Sequence, residues 1–199
     1  MSAREEILSA IRARHTKIEP RPLAYRIRDI VNPIDSFAER AQLANAEVRV
    51  LDNESDVPHA IADLLRSKNL PAIIHIPSGS PELGWDSAPG VTLQQTAPGP
   101  DDAALAFAPF GIAETGTLAY AADASAPASW HFRAGFEIAV LRVDNILPHM
   151  EDVLVRMKKV GLPSTVNFVT GPSRTGDIEQ TLELGAHGPK ALAILIVRS

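Results

Sequence analysis

The chain holds short segments that are apolar at nearly every position, and these segments constrain its fold most. Residues 136–143 read FEIAVLRV, and residues 191–197 read ALAILIV. A strand with one face in water alternates apolar and polar residues, whereas a strand of a parallel sheet is covered on both faces and is apolar throughout. The two segments therefore predict buried strands of a mainly parallel, Rossmann-like sheet with helices on both faces.

The rest of the chain alternates between segments of helical periodicity and short strand-like segments, as in an α/β domain. The predicted helices cover residues 3–15, 36–46 and 177–184, and two more begin at residue 55 or 56 and at residue 148. The other predicted strands cover residues 47–52, 72–76, 91–95, 104–109, 117–122 and 165–170. Residues 16–34 contain three Pro and show no hydrophobic periodicity. Asp35 can cap the helix that follows. We therefore divide the chain into an amino-terminal helix with an extended arm, residues 1–34, and one α/β domain, residues 35–199.

Composition narrows the classes of function. The 199 residues include no Cys, which excludes disulfides, Cys-ligated zinc or iron–sulfur clusters and a cysteine nucleophile. The net charge of −5 argues against nonspecific binding to nucleic acid or to anionic membranes. Charged residues interrupt the amino terminus, and no stretch approaches the roughly 20 apolar residues of a membrane span. We expect a cytoplasmic protein without a membrane span.

The negative charge is concentrated in the middle of the chain. Residues 69–132 contain six acidic residues and no Lys or Arg. This pattern is typical of buried strands joined by stiff loops, in which long cationic side chains are disfavoured. An acidic, partly buried pocket rim is the alternative interpretation.

Residues 111–117, GIAETGT, form a glycine-bracketed polar turn between two apolar runs. Loops at the carboxyl ends of strands line the ligand crevice of an α/β sheet. A partly desolvated carboxylate there can act as a general base or a nucleophile. Glu114 is therefore a candidate catalytic residue, and Thr115, Gly116 and Thr117 are candidate ligand-binding residues. The alternative is that Glu114 and Thr115 only satisfy backbone groups of a tight turn.

Residues 170–179, TGPSRTGDIE, lie between a predicted strand and a predicted helix. Free N–H groups at a helix start favour anions, and Arg174 can hold a phosphate or carboxylate through two hydrogen bonds. The alternative is a well-capped helix start without a ligand, since the segment is neither a Walker A loop nor a GxGxxG fingerprint. The candidate ligand-binding residues here are Gly171, Ser173, Arg174, Thr175, Gly176 and Asp177.

Residues 185–189, GAHGP, place His187 in a glycine-flanked turn before the last strand. An acid–base or substrate-binding role, a structural hydrogen bond and a metal-ligand role are all open for this imidazole. Glu183 lies four residues earlier, but Gly185 interrupts a helix between the two, so we predict no metal site. His187 is a candidate catalytic residue and Gly188 a candidate ligand-binding residue.

Two long segments resemble motifs of a known family. GIAETGTLAY at 111–120 and TGPSRTGDIEQTLELGAHGP at 170–189 are similar, in order and spacing, to the LUD-domain family of the lactate-utilisation protein C type. The resemblance covers residues 35–199 and implies an α/β core similar to the NagB/RpiA/CoA-transferase superfamily. The matching residues are Glu114, Thr115, Gly116, Thr117, Gly171, Pro172, Ser173, Arg174, Thr175, Asp177, Ile178, Glu179, Gly185, His187, Gly188 and Pro189.

One segment departs from the family pattern. Family members commonly carry a strand entry with Pro and His between the two motifs, whereas residues 129–143 here read SWHFRAGFEIAVLRV. Whether His131 is the equivalent histidine is left open by the sequence, and so is any role for it.

The resemblance also implies a biological role. The family is associated with a cytoplasmic complex that oxidises L-lactate to pyruvate and whose partner subunits carry iron–sulfur clusters. This chain would then be a subunit with no intrinsic cofactor, and whether it is catalytic on its own stays open. The alternative is an independent enzyme or binder of a phosphorylated or CoA-like molecule, in which Glu114 and the Arg174 anion cradle share one crevice. A third hypothesis is a scaffold whose motifs only pack turns.

Overall fold

A computed structural model describes residues 2–14, 29–88, 90–121, 127, 129–161, 163–175, 183–185 and 188–199. The helices are α1 (Ala3–Arg14), α2 (Pro33–Leu43), α3 (Val57–Ser67), α4 (Ser129–Arg133) and α5 (Met150–Val160). The strands are β1 (Glu47–Leu51), β2 (Ile73–His75), β3 (Thr92–Gln94), β4 (Ala103–Ala108), β5 (Phe110–Ile112), β6 (Thr117–Ala121), β7 (Phe136–Arg142), β8 (Ile146–Leu147), β9 (Val166–Val169), β10 (Arg174–Thr175), β11 (Glu183–Leu184) and β12 (Ala191–Val197).

The main sheet has six parallel strands in the order β1-β12-β7-β4-β2-β3. The two apolar segments of the sequence, β7 and β12, are neighbours in its centre and pair along their whole length. Helix α3 covers one face, where Ile61 and Leu64 pack with Ile138 and Leu195. Because the opposite face is covered as well, these strands have no face in water, which is why they are apolar throughout. The predicted α/β class is confirmed.

The opposite face of the main sheet packs against α2 and a second sheet. Phe37 of α2 lies in one apolar cluster with Leu118 of β6, Leu141 of β7 and Ile194 of β12. The second sheet has the order β8-β5-β6-β9, in which β6 is antiparallel to both of its neighbours. Helix α5 covers the far side of this sheet. The molecule is therefore layered from α3 through the two sheets to α5.

Two local predictions are corrected at the ends of elements. Helix α2 begins at Pro33, and Asn32, not Asp35, is its N-cap: the Asn32 side chain accepts a hydrogen bond from the backbone N–H of Asp35. Pro at the first helical position costs little because its missing N–H would have no partner there. The expected extended arm therefore ends before residue 33, and its residues 16–28 lie outside the described residues.

The helix predicted over residues 177–184 is wrong at its carboxyl end. Residues 183–184 form strand β11, which pairs antiparallel with β10 at residues 174–175. Residues 177–182 lie outside the described residues. Periodicity over eight residues could not distinguish a short helix from a strand that is held by a tertiary partner.

Helix α1 occurs where the capping box of Ser2 and Glu5 predicts it. The Ser2 N–H donates to the Glu5 carboxylate, and the Glu5 N–H donates to the Ser2 hydroxyl. None of the helices in the described part of the chain is long and apolar enough to cross a membrane.

Candidate functional site

The two motif turns rest on the carboxyl-terminal end of α2. Gly116 adopts φ +67°, and a Cβ there would collide with the backbone N of Ala41. Gly171 adopts φ +79°, and a Cβ there would collide with the carbonyl O of Ala44. Left-handed φ and close backbone approach both require glycine. Two of the predicted ligand-binding residues therefore have a packing role.

Threonine hydroxyls join the two motifs. Strands β6 and β9 are antiparallel neighbours, which brings the start of the first to the end of the second. The hydroxyl of Thr117 lies 2.7 Å from that of Thr115 and 2.6 Å from that of Thr170. The structure thus brings the segments 111–117 and 170–175 together, as one site across both motifs requires.

Glu114 is bonded to the start of helix α5. One carboxylate oxygen accepts from the Met150 N–H at 3.1 Å, and the other lies 3.0 Å from Nδ1 of His149. Burial favours the neutral acid, but the hydrogen bonds and the charge of His149 outweigh it and lower the pKa of the Glu114 carboxyl from its ordinary value. A carboxylate is also favoured by the positive end of a helix dipole.

The crevice with Glu114 opposite Arg174 stays a prediction. Both carboxylate oxygens of Glu114 are engaged by residues 149 and 150, and Arg174 lies exposed in β10. The Ser173 N–H donates to the Pro189 carbonyl at 2.9 Å, and buried Gly188 lies against the Ser173 side chain. The predicted site residues Gly176, Asp177 and His187 lie outside the described residues.

A second polar cluster is buried where the sequence predicts only apolar packing. Glu137, the second residue of β7, is 0% exposed, and Tyr120 and His131 are 2% and 3% exposed. One carboxylate oxygen of Glu137 accepts from the Tyr120 hydroxyl at 2.9 Å and lies 3.1 Å from Nδ1 of His131. The tyrosine and histidine rings stack, with centroids 3.7 Å apart. Three elements, β6, α4 and β7, supply one residue each.

Helix α4 is anchored so that it presents His131 to the cluster. Helix α4 packs against β4, whose residue Ala104 lies in one buried cluster with Trp130 and Ala134. The indole N–H of Trp130 donates to the carbonyl of Leu105 at 3.0 Å. A buried indole N–H needs a partner, and this bond fixes the residue adjacent to His131.

The electrostatics of the cluster keep the tyrosine protonated. Burial, followed by the negative charge of Glu137 and the hydrogen bond to it, raises the pKa of Tyr120 well above its ordinary value. The second oxygen of Glu137 is buried with no hydrogen-bond partner among the described residues. Such an atom costs about 1–3 kcal/mol and is rare in native proteins. The cluster therefore has spare hydrogen-bonding capacity.

The cluster lies beside a cavity of about 270 Å³. Tyr120 and His131 form part of its wall, and the loop of residues 77–81 after β2 forms another part. Since Nδ1 of His131 is engaged by Glu137, Nε2 is the nitrogen left for a bound molecule. This arrangement can accept, donate or relay a proton at the cavity wall. Among the residues that the structure describes, no three His, Asp or Glu side chains form a metal site.

Sequence reasoning did not select this cluster. The role of His131 was left open, and neither Tyr120 nor Glu137 was among the candidate site residues. One signal was available, because Glu137 is the single acidic residue of the apolar strand β7. Charged residues are almost never fully buried unless they are paired, so a carboxylate in a central strand indicates partners from elsewhere in the chain.

The fold defines the class of this protein, a Rossmann-like α/β protein with a second, smaller sheet on one face of its parallel sheet. Residues 101–197 match the LUD domain, the family that the two motifs resemble. A crystal structure of a DUF162 family protein from Deinococcus radiodurans has the same fold, with a TM-score of 0.62 at 22% identity over 83% of this chain and 96% of that chain.

Relatives of this chain occur in several bacteria. Proteins named "Lactate utilization protein C" are 34% identical over 98 residues in Geobacillus kaustophilus and 30% identical over 118 residues in Halalkalibacterium halodurans. These matches cover 47% and 57% of this chain and 41% and 51% of the relatives. This chain therefore spans about half the length of those relatives or less. An uncharacterized protein from Escherichia coli is 25% identical, and the match covers 81% of this chain and 71% of the length of that protein.

Proposed function

We propose that this protein serves lactate utilisation, as a subunit without iron–sulfur clusters of a cytoplasmic complex that oxidises L-lactate to pyruvate. The observation that carries the proposal is the LUD-domain match together with the 30–34% identity to proteins named "Lactate utilization protein C". The LUD-domain match, residues 101–197, includes both motif segments.

The division of labour within the complex follows from the side chains that this chain offers. Iron–sulfur clusters are held mainly by Cys thiolates, and this chain contains none. Electron transfer is therefore assigned to partner subunits. This chain supplies an α/β domain, the joined motif turns on α2 and a surface for the partners.

Growth of the native host tests the role. Deletion of the gene is expected to abolish growth on L-lactate while leaving growth on pyruvate unchanged, because pyruvate enters after the proposed step. The wild-type chain supplied in trans should restore growth on lactate. A deletion strain that grows on L-lactate at the wild-type rate would overturn the role.

Affinity purification tests membership of the complex. A tagged chain from lactate-grown cells should bring down a stable partner whose visible absorption bleaches on reduction with dithionite, as iron–sulfur clusters do. The same purification with a tagged, unrelated α/β protein is the control. Recovery of the tagged chain alone from such cells would contradict the assignment as a subunit while leaving the growth phenotype to be explained separately.

A further inference from the structure

We propose that the cavity beside Tyr120 and His131 binds an uncharged small molecule that carries a hydroxyl group. The inference uses only the cavity and the buried cluster behind its wall, so it does not depend on the role in lactate utilisation. The arguments are the size of the cavity, the chemistry of its wall and the sign of the charge beneath it.

The size and wall of the cavity suit a compact and mostly apolar body. Its volume of about 270 Å³ equals the liquid volume of roughly nine water molecules. Ala106, Phe107 and Pro109 supply apolar wall, and the polar side chains include Tyr120 and His131. Ligand sites commonly combine an apolar lining with a few polar groups that fix orientation.

The polar end of the cavity fits a hydroxyl group. When Glu137 is ionised, the hydrogen bond between its carboxylate and His131 places a proton on Nδ1. In the neutral ring Nε2 is then an acceptor, and it makes no hydrogen bond within the described residues. A hydroxyl can donate to a neutral imidazole and accept from a charged one, so it suits both states of His131.

The charge around the cavity disfavours anions. Residues 69–132 supply most of the wall and contain no Lys or Arg. Glu137 is fully buried in contact with two wall residues, and none of the described residues that line the cavity is a Lys or Arg. An incoming carboxylate or phosphate would lose its hydration and meet a like charge at short range. An uncharged molecule avoids that cost.

The cluster is also more polar than packing requires. Replacing a buried charged group and its partners with apolar residues of similar volume is often neutral or stabilising. Tyr120, His131 and Glu137 instead form a cluster with one carboxylate oxygen unpartnered among the described residues. Binding of a molecule at the cavity wall would give the Tyr120–His131 stack and the His131–Glu137 pair a function other than stabilising the fold.

Three probes of similar size test the proposal: 4-methylphenol, toluene and 4-methylbenzoate, titrated into the ¹⁵N-labelled full chain by NMR. We expect 4-methylphenol to bind with shifts at the amides of Ala106, Tyr120 and His131. Toluene, which lacks the hydroxyl, should bind about tenfold more weakly, the loss that one hydrogen bond of this kind gives. The anion 4-methylbenzoate should not bind.

Variants connect the binding to the cluster. His131→Phe keeps a ring for the stack on Tyr120 and removes both nitrogens, so it should weaken 4-methylphenol about tenfold. His59→Gln, at an exposed position of helix α3, is the matched control and should leave the affinity unchanged. Glu137→Gln keeps the shape and removes the charge, so it should allow 4-methylbenzoate to bind. This variant also covers the case in which His131→Phe does not fold.

Several outcomes would overturn the inference. These are no binding of 4-methylphenol at millimolar concentration, binding of 4-methylbenzoate to the wild-type chain as tight as that of 4-methylphenol, and equal affinity of the His131→Phe variant. Continued exclusion of 4-methylbenzoate by Glu137→Gln would overturn the charge argument. Because binding is measured on the purified chain, its failure is distinguishable from a failure of the lactate phenotype.

Discussion

Two of the carboxylate–histidine pairs in the described part of the chain have nearly equal length and opposite settings. Glu114 lies 3.0 Å from His149 with side chains 35% and 12% exposed, and Glu137 lies 3.1 Å from His131 with side chains 0% and 4% exposed. The first pair lies in a motif that the sequence displays clearly, yet its contacts are those of a turn bonded to a helix start. The second lies outside every predicted site and borders a cavity. The motif thus marks the more exposed pair, whereas burial and an unpartnered carboxylate oxygen among the described residues mark the pair beside the cavity.

The turn that carries Glu114 is the most sensitive point of the first region. Gly116→Ala introduces a Cβ into the backbone of Ala41 at a left-handed φ, and we expect it to lower the free energy of unfolding by about 4 kcal/mol. Gly79 has φ +81° and open space around it, so Gly79→Ala should cost only about 1 kcal/mol. Urea denaturation of both variants checks the difference. Equal losses would show that α2 does not fix the turn.

Removing the buried carboxylate should cost more than removing the half-exposed one. Glu137→Ala leaves the Tyr120 hydroxyl and the His131 imidazole without their partner, so we expect a loss of about 3 kcal/mol. Glu114→Ala loses a hydrogen bond to a helix N-terminus and a partly exposed pair with His149. We expect the two losses together to lower the free energy of unfolding by about 1 kcal/mol. Denaturant midpoints at one pH give the comparison. If Glu114→Ala lowers the free energy of unfolding as much as Glu137→Ala does, then burial does not explain a difference between the two pairs.

The buried cluster should add a stability loss at alkaline pH. Because the folded-state pKa of Tyr120 is raised, its stabilisation is complete below the ordinary tyrosine pKa of 10.0 and is lost as pH rises through the folded pKa. The slope is about 1.4 kcal/mol per pH unit above pH 10. Tyr120→Phe should lack this slope. If the free energy of unfolding falls equally with pH in the wild type and in Tyr120→Phe above pH 10, that result would argue against the buried cluster.

The Glu114 pair should add the smallest effect, at acid pH. Its folded-state pKa is lowered, so its stabilisation is present above the ordinary value of 4.5 and is lost as pH falls through the folded pKa. The free energy of unfolding of the Glu114→Gln variant should therefore fall less steeply than that of the wild type between pH 5 and pH 3. Thermal unfolding across that range measures the difference, with Glu39→Gln, at an exposed position of α2, as the comparison. An unchanged acid slope would remove the assigned role of His149.

The fold was more predictable than the site. Long apolar runs such as ALAILIV specify buried parallel strands wherever their partners lie, because both faces of such a strand must leave water. Short signals were less reliable. Asp35 and Asn32 both have the chemistry of an N-cap, and only the path of the chain decides which side chain caps α2. For residues 183–184, a strand partner overrode the local helical pattern.

Residue patterns were sufficient to predict the fold class, the resemblance to the LUD-domain family and the positions of the two motif turns. Local periodicity and turn chemistry carry that information residue by residue. Only the tertiary structure decided what the polar groups do, since hydrogen-bond partners and burial depend on residues far apart in the chain. Glu114 meets His149 across 35 positions, and Tyr120 meets Glu137 across 17. Likewise, the tertiary structure makes residues 69–132, which contain no Lys or Arg, the source of most of the wall of a cavity with the buried Glu137 carboxyl group behind it.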